Sequence, residues 1–198
     1  MNHRRLMVWL PLALAVLLAA GFTVALTKPQ NNLAIMTNQA VLLDLPIPPF
    51  ALAEAAAEGV DGSPHYDQIR GLADGDLVAG SSGLALVNFF ASWCAPCRIE
   101  HPFLMRLARD ASVPLYGIAY RDTGIKAAAY LVDAGNPFAQ VGLDPDGDAA
   151  LGFGITGMPE TFLIDADGRI RFRVQGPVSG PQFDQLVTII DQLRQEAG

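Results

Sequence analysis

Cysteine is scarce in this sequence, because the 198 residues contain only Cys94 and Cys97. Two cysteines with two residues between them cannot cross-link distant segments, and closing so short a loop adds little stability. The chain is therefore not a disulfide-stapled domain. Reactivity explains a lone pair at this spacing better than stability does.

Basic residues are also few, with 13 lysines and arginines against 20 aspartates and glutamates. Three of the basic residues lie within positions 1–28, which contain no acidic residue, so the remainder carries a formal charge near −10. Such an acidic domain argues against nucleic acid as a partner. It favours basic protein partners over acidic ones, with plain solubility as the alternative explanation of the charge.

The long uncharged stretch of the chain lies at its N-terminus. Leu6–Leu26 is 21 residues long and follows Arg4 and Arg5, with Lys28 behind it. This length is enough to cross the hydrocarbon core of a bilayer, and it exceeds the apolar region of most cleaved signal peptides. We therefore expect an uncleaved anchor rather than a cleaved signal, with the arginines in the cytoplasm.

The composition divides the rest of the chain. Residues 1–28 are predicted to form the anchor, residues 29–45 a tether, and residues 46–198 one domain in the periplasm of a bacterium with two membranes. A domain of this length can bury a core of its own. Residues 50–80 have little periodicity and are predicted to be loops with a short hairpin or helix.

The pentapeptide Trp93-Cys94-Ala95-Pro96-Cys97 follows directly on the apolar run Leu84–Phe90. The pair thus lies where a buried strand passes into a helix, and it can form a tight, reducible disulfide at the helix start. The alternative is half of a zinc site, or a metal triad of Cys94, Cys97 and His101. Proline within the motif and apolar residues before it favour redox chemistry, and no metal is expected.

Hydrophobic periodicity predicts an α/β order that ends in a hairpin and a helix. An apolar stripe on the first helix would consist of Ile99, Phe103, Leu104, Leu107 and Ala108. The predicted strands are Leu84–Phe90, Val113–Tyr120, Phe138–Leu143, Glu160–Asp165 and Arg169–Gln175. The predicted helices are Cys94–Arg109, Thr123–Ala134, a short one within Asp146–Phe153, and Pro181–Glu196.

Several motifs resemble a known family. The strand, the WCxxC turn, Met158-Pro159 before a strand and the closing hairpin and helix resemble the thioredoxin superfamily. The segments CRIEHP (97–102), GNPF (135–138) and GITGMPETFLID (154–165) resemble the membrane-anchored thiol-disulfide interchange proteins of cytochrome c maturation, the DsbE/CcmG family. The resemblance covers roughly residues 46–198.

This resemblance implies a thioredoxin-like fold, with a central mixed sheet flanked by helices behind an N-terminal transmembrane helix. It implies a periplasmic reductase of apocytochrome c, or of an intermediary dithiol protein, that needs no cofactor and receives electrons from a membrane thiol-disulfide protein. The alternatives are a general periplasmic disulfide reductase or oxidant, a non-catalytic protein that binds apocytochrome or haem, and a copper chaperone.

The chemistry of exchange assigns roles within an exposed sulfur pair. Cys94 is predicted to have a lowered pKa at the helix N-terminus and to attack first, and Cys97 to resolve the mixed disulfide. Glu100 lies one helical turn after Cys97, either as a base for that thiol or as a solvated carboxylate. Asn88 stands where many thioredoxins carry a buried aspartate, which leaves the role of proton acceptor open to Glu100.

The resemblance also implies the substrate-binding residues. Pro159 is expected in the cis form beside the disulfide, and the backbone of Met158 is expected to pair with the substrate chain. Trp93 is expected to cover the disulfide or to have a purely structural role. Glu160 is expected either in an acidic surface near the site or as an ordinary residue at a strand start.

Overall fold

The computed structural model describes residues 44–54, 69–78, 83–111 and 113–197. The predicted anchor and nearly all of the predicted tether lie outside these ranges. Within them, no helix combines the length and the apolar character that crossing a bilayer requires.

The described residues form the predicted strands and helices, with ends that move by at most two residues. The strands are β1 (Ala51–Glu54), β2 (Arg70–Ala73), β3 (Leu84–Phe90), β4 (Leu115–Tyr120), β5 (Gln140–Asp144), β6 (Glu160–Asp165) and β7 (Ile170–Gln175). The helices are α1 (Asp74–Val78), α2 (Ala95–Asp110), α3 (Gly124–Ala134), α4 (Asp148–Gly152) and α5 (Pro181–Ala197).

The main sheet has five strands in the order β5-β4-β3-β6-β7. Strands β3, β4 and β5 run parallel, whereas β6 is antiparallel to both β3 and β7. The sheet is therefore mixed, as predicted. All seven residues of β3 are buried, since this central strand is covered on both faces.

Side chains of β3 alternate between the two faces of the sheet. Leu86 and Phe90 belong to the core that includes residues of α2, α3 and α5, whereas Val87 and Phe89 belong to the core of the other face. Asn88 has the parity of Leu86 and Phe90. The strand thus places the Asn88 amide under α2, the helix that follows the cysteine motif.

The buried face of α2 differs from the predicted stripe. Ile99 is 61% exposed and Ala108 is also exposed, so both predictions are wrong. The buried residues of this helix are Cys97, Glu100, His101, Leu104 and Leu107. Two polar residues occupy the buried face because the interior supplies hydrogen-bond partners for both of them.

The segment before β3 contains the predicted short elements. Strands β1 and β2 pair antiparallel, and α1 follows directly, while residues 55–68 and 79–82 lie outside the description. The hairpin packs against β5 at Gly142, where a Cβ atom would lie 2.8 Å from Leu52 Cδ1 and from Leu72 Cβ. Glycine is thus required there by the close approach.

Candidate active site

The cysteine motif lies at the junction of β3 and α2. The Cys94 backbone is extended (φ −84°, ψ 107°) and Cys94 is the N-cap of α2, with Pro96 in the first turn. Proline is compatible with this turn because its missing N–H would have no helical partner. The Cys94 N–H donates to Ala91 O at 3.1 Å, which closes the turn between strand and helix.

The structure contains the predicted disulfide between Cys94 and Cys97, with an S–S distance of 2.08 Å. The Cys97 N–H donates to Cys94 Sγ at 3.2 Å. A backbone donor and the positive end of the helix dipole both favour negative charge on that sulfur. The local geometry therefore suits Cys94, rather than Cys97, as the thiolate of the reduced protein.

The sulfur pair is less exposed than expected. Cys94 is 3% exposed and Cys97 is 2% exposed. Cys94 nevertheless lines an open surface groove of about 350 Å³, and Cys97 does not. The groove is lined by Trp93, Cys94, Ala95, Pro96, Tyr120, Ile155, Thr156, Gly157 and Met158. Cys94 thus borders a surface groove, whereas Cys97 is buried away from it.

Trp93 forms one side of this groove. The residue is 58% exposed, its indole N–H donates to Arg121 O at 3.2 Å, and its ring centroid lies 6.4 Å from that of Tyr120. The indole is therefore anchored at its polar edge while its apolar surface faces solvent. Exposed aromatic surface of this kind is typical of binding sites.

The segment from Ile155 to Met158 forms the other side. The Met158–Pro159 peptide bond is cis, as the resemblance implies, and Pro159 is buried. Gly176 N donates to Pro159 O at 2.9 Å, which ties this bend to the end of β7. The predicted residues Trp93, Cys94 and Met158 thus line one groove, although they are far apart in sequence.

Glu100 is fully buried, so its interpretation as a solvated carboxylate is wrong. Oε1 accepts a hydrogen bond from Asn88 Nδ2 at 2.9 Å and Oε2 accepts one from Val178 N at 2.9 Å. Burial raises the pKa of Glu100 to about 7, against the opposing effect of these two hydrogen bonds. A carboxyl group with such a pKa can accept and return a proton near neutral pH.

Asn88 connects Glu100 to the neighbouring strand. Its Nδ2 also donates to Thr161 Oγ1 at 3.0 Å, and within the described part of the chain its Oδ1 is buried without a partner. Rotation of the amide by half a turn would bring this oxygen to Glu100, where it would accept a hydrogen bond from the neutral acid. In the observed orientation Asn88 thus joins Glu100 to Thr161 of β6 through its amide nitrogen.

The expectation that Glu160 belongs to an acidic surface is wrong. The residue is 1% exposed, and Arg173 Nη2 lies 2.5 Å from its Oε2. Its Oε1 accepts hydrogen bonds from Thr156 N at 3.0 Å and from Thr156 Oγ1 at 3.3 Å, while Arg173 Nη2 donates to Gly154 O at 2.9 Å. The Glu160 side chain therefore fixes the position of Thr156, which lines the groove, although Glu160 itself does not line it.

The sequence and the fold match those of known proteins. The Redoxin family model matches residues 75–190. The chain belongs to the Redoxin family.

The relatives of this Redoxin-family chain are thiol:disulfide interchange proteins. The chain is 43% identical over 131 residues to HelX of Rhodobacter capsulatus, which covers 66% of this chain and 72% of HelX. It is 34% identical over 181 residues to DsbE of Yersinia pestis, covering 91% and 89% of the two chains. The chain is accordingly a thiol-disulfide oxidoreductase, as the sequence predicts.

A solved structure shares the fold of this Redoxin-family chain. The crystal structure of a thiol:disulfide interchange protein of the thioredoxin family from Chlorobium tepidum has a TM-score of 0.54 and 26% sequence identity. The match covers 74% of this chain and 96% of that chain. The predicted thioredoxin-like α/β fold is confirmed.

Sequence reasoning missed several residues around the site of this Redoxin-family chain. Tyr120 is the last residue of β4, and Asp122 follows it closely. Because β3 and β4 are parallel neighbours, their carboxyl ends lie side by side, and residues at the end of β4 are therefore candidates for the site that follows β3. Val178, whose N–H binds Glu100, follows β7 in a loop that carries no sequence signal of a role.

His101 has a structural environment rather than that of a ligand. Its Nε2 lies 3.0 Å from Gly135 O and its Nδ1 lies 2.8 Å from Tyr130 Oη, so both ring nitrogens have partners. Burial lowers its pKa. Among the described residues, no group of three or more histidine, cysteine, aspartate or glutamate side chains is placed to hold a metal ion.

Replacing Arg173 with methionine is expected to destabilise the protein by about 3–5 kcal/mol, because Glu160 would keep a buried, uncompensated charge. Arg171→Met on the same strand is the matched control, since its pair with Asp165 is partly exposed and contributes about 0–1 kcal/mol. Urea unfolding at pH 7 measures both changes. Equal losses in the two variants would contradict the importance of the buried pair.

Proposed function

We propose that this chain is a periplasmic protein disulfide reductase of cytochrome c maturation, acting on apocytochrome c or on an intermediary dithiol protein. The proposal rests on one observation above all. Cys94 lines an open groove together with Trp93 and Met158, while Cys97 is buried and does not line it. This arrangement admits a polypeptide to one sulfur and reserves the other for the second step.

The reaction proceeds in two exchanges. The Cys94 thiolate attacks one sulfur of the client disulfide, which forms a mixed disulfide and releases the other client sulfur as a thiolate. Cys97 then loses its proton and attacks Cys94 Sγ, which releases the second client sulfur. The client gains two electrons and leaves as a dithiol, and the Cys94–Cys97 disulfide forms.

Glu100 is the proposed proton acceptor for Cys97. Both residues lie on the buried face of α2, one helical turn apart, and Glu100 is anchored by Asn88 and Val178. Its raised pKa of about 7 leaves a useful fraction of the carboxylate at neutral pH. Asn88 cannot take the proton, because an amide does not titrate in this range. Glu100, the buried carboxyl group next to Asn88, can take it.

The client chain is proposed to lie across the groove. The backbone of Met158 beside the cis-Pro159 is proposed to pair with the client as a strand would, which gives affinity without a strict sequence requirement. Trp93 supplies apolar contact at the other wall. Glu160 supports the Met158 wall through Thr156 and does not itself reach the client, because it is buried.

Regeneration of the dithiol requires a second partner. A membrane thiol-disulfide protein is proposed to supply two electrons by attacking the Cys94–Cys97 disulfide through its own dithiol. The predicted anchor at residues 1–28 would hold the domain at the outer face of the inner membrane, near that donor. The acidic domain would favour a client with a basic surface.

The proposal predicts a specific loss in cells. A strain that lacks this gene should lose most of its c-type cytochromes, the wild-type gene should restore them, and the Cys94→Ser variant should not. Haem staining of separated membrane and periplasmic proteins measures the result. Normal cytochromes in the deletion strain would count against this client, and rescue by Cys94→Ser would favour a non-catalytic binding protein instead.

A further inference from the structure

Asp122 is a buried carboxylate beside the groove to which the exchange reaction assigns no role. It lies in the loop between β4 and α3 and is 6% exposed. Its Oδ2 accepts a hydrogen bond from Ser92 N at 2.6 Å, and its Oδ1 accepts one from Ser92 Oγ at 3.1 Å. Oδ1 also accepts from Thr123 N at 2.9 Å. The carboxylate therefore binds the residue that precedes Trp93 at two atoms.

The third polar atom of Ser92 is also engaged. Ser92 O accepts a hydrogen bond from Arg98 Nη2 at 2.9 Å, and the Arg98 guanidinium lies 4.9 Å from the ring centroid of Tyr130. The N–H, the hydroxyl group and the carbonyl oxygen of Ser92 thus all have hydrogen-bond partners, namely Asp122 for the first two and Arg98 for the third. The turn between β3 and Cys94 is held by side chains from α2 and from the β4–α3 loop.

The same loop holds Trp93 directly. Arg121 O accepts the hydrogen bond of the Trp93 indole, and the Arg121 guanidinium lies 5.2 Å from the ring centroid of Tyr120. Arg121 has a φ of 44°, a left-handed conformation that is unusual for a residue with a side chain. Such strain persists where surrounding contacts over-determine the backbone, and it is common near functional sites.

We propose that Asp122 is a positioning residue for client binding. Acting through Ser92, its carboxylate fixes the Trp93 wall of the groove, and so sets how tightly a polypeptide is held beside Cys94. Asp122 touches neither the client nor a sulfur atom. This inference depends on the proposed function, because it concerns the affinity of the groove for a polypeptide that contains a disulfide.

A comparison of a large and a small disulfide tests this role. The reduced full-length chain is mixed with excess of either an oxidised Cys-x-x-Cys peptide of about ten residues or glutathione disulfide, and single-turnover rates are measured. The peptide occupies the groove, whereas glutathione disulfide needs little beyond the sulfur. The variants are Asp122→Asn, which removes one of the acceptors for Ser92, and Asp133→Asn, which removes the same charge at an exposed position of α3.

The half-saturating peptide concentration should rise about tenfold in Asp122→Asn, with the maximal rate changed less than about twofold. A factor of ten corresponds to about 1.4 kcal/mol, close to the lower end of the range for one hydrogen bond to a charged group. The rate with glutathione disulfide should stay within about twofold of the wild type. Asp133→Asn should match the wild type with both disulfides.

Other outcomes overturn the proposal. Equal slowing with both disulfides would mean that Asp122 acts on the sulfur chemistry or on the fold. An unchanged half-saturating peptide concentration would mean that the contact between Asp122 and Ser92 does not contribute to peptide binding. If Asp122→Asn fails to fold, Ser92→Ala decides, because it removes only the Oγ contact and should raise the half-saturating concentration about threefold. A wild-type chain inert towards both disulfides would instead refute the proposed function.

Discussion

Replacing Cys94 with serine is expected to reduce disulfide exchange by more than about a thousandfold, because a hydroxyl cannot replace the attacking thiolate. Cys94 is the sulfur that lines the groove, and no other cysteine of the 198 residues can take its place from that position. Reduction of an oxidised protein client, followed by labelling of the new thiols, measures the loss. Thermal unfolding under reducing conditions checks that the variant still folds.

Replacing Cys97 with serine should have a different result. The first exchange remains possible and the second does not, so Cys94 should stay joined to its client in a mixed disulfide. These adducts should be recovered from cells and released by dithiothreitol, and the double variant Cys94→Ser/Cys97→Ser should capture none. If Cys94→Ser captured the client through Cys97 instead, the assigned order of attack would be wrong.

Replacing Glu100 with glutamine is expected to slow the second exchange about a hundredfold, within the range for loss of a general base. In the wild type the carboxylate form accumulates as the pH rises through about 7, so the rate of resolution should rise over the same range. That dependence should be absent from the variant. Stopped-flow measurement of the decay of the mixed disulfide gives both the rate of resolution and its dependence on pH. The measurements run from about pH 5.5 to about pH 8.5, which is about one and a half units to either side of that pKa.

Although Glu100→Gln should slow the reaction, it should stabilise the folded protein at neutral and higher pH. Between pH 4.5 and about 7 the folded protein binds more protons than the unfolded chain, because burial raises the pKa of Glu100. Stability therefore falls as the pH rises across this window, by about 3 kcal/mol in total. Glu100→Gln should unfold like the wild type near the lower limit and should be more stable by up to that amount above the upper limit.

Glu196→Gln is the matched control, since Glu196 is an exposed carboxylate on α5. It should leave both the rate and the free energy of unfolding unchanged at every pH. A Glu100→Gln variant that resolves the mixed disulfide at the wild-type rate would remove Glu100 from the mechanism. A variant less stable than the wild type at high pH would contradict the cost of the buried charge.

Local sequence was sufficient for the elements that carry the site. The apolar run Leu84–Phe90 has the length and composition of a buried strand, and proline in the following motif is compatible with the first turn of a helix. Spacing alone allows the Cys94–Cys97 disulfide, because residues i and i+3 at a helix start are always close. These features depend on contacts within about one turn of chain.

Burial of the charged residues did not follow from sequence. Glu100 and Glu160 were each compatible with a surface carboxylate, and both are buried. The apolar stripe of α2 was misplaced for the same reason, since Ile99 is exposed while Glu100 takes an interior position. A hydrophobic pattern ranks residues by polarity, and it cannot show that a polar residue has a partner waiting inside the fold.

Sequence therefore accounts for the chemistry of this protein, namely a sulfur pair at the junction of a strand and a helix, because that arrangement is set by neighbouring residues. Its environment depends on residues that are distant in the chain. Glu100 is bound by Val178, Asp122 by Ser92, and Cys94 shares its groove with Met158. Such contacts form only when the strands of the sheet assemble in their order, and the low dielectric of the interior then shifts the pKa of Glu100 to its working range.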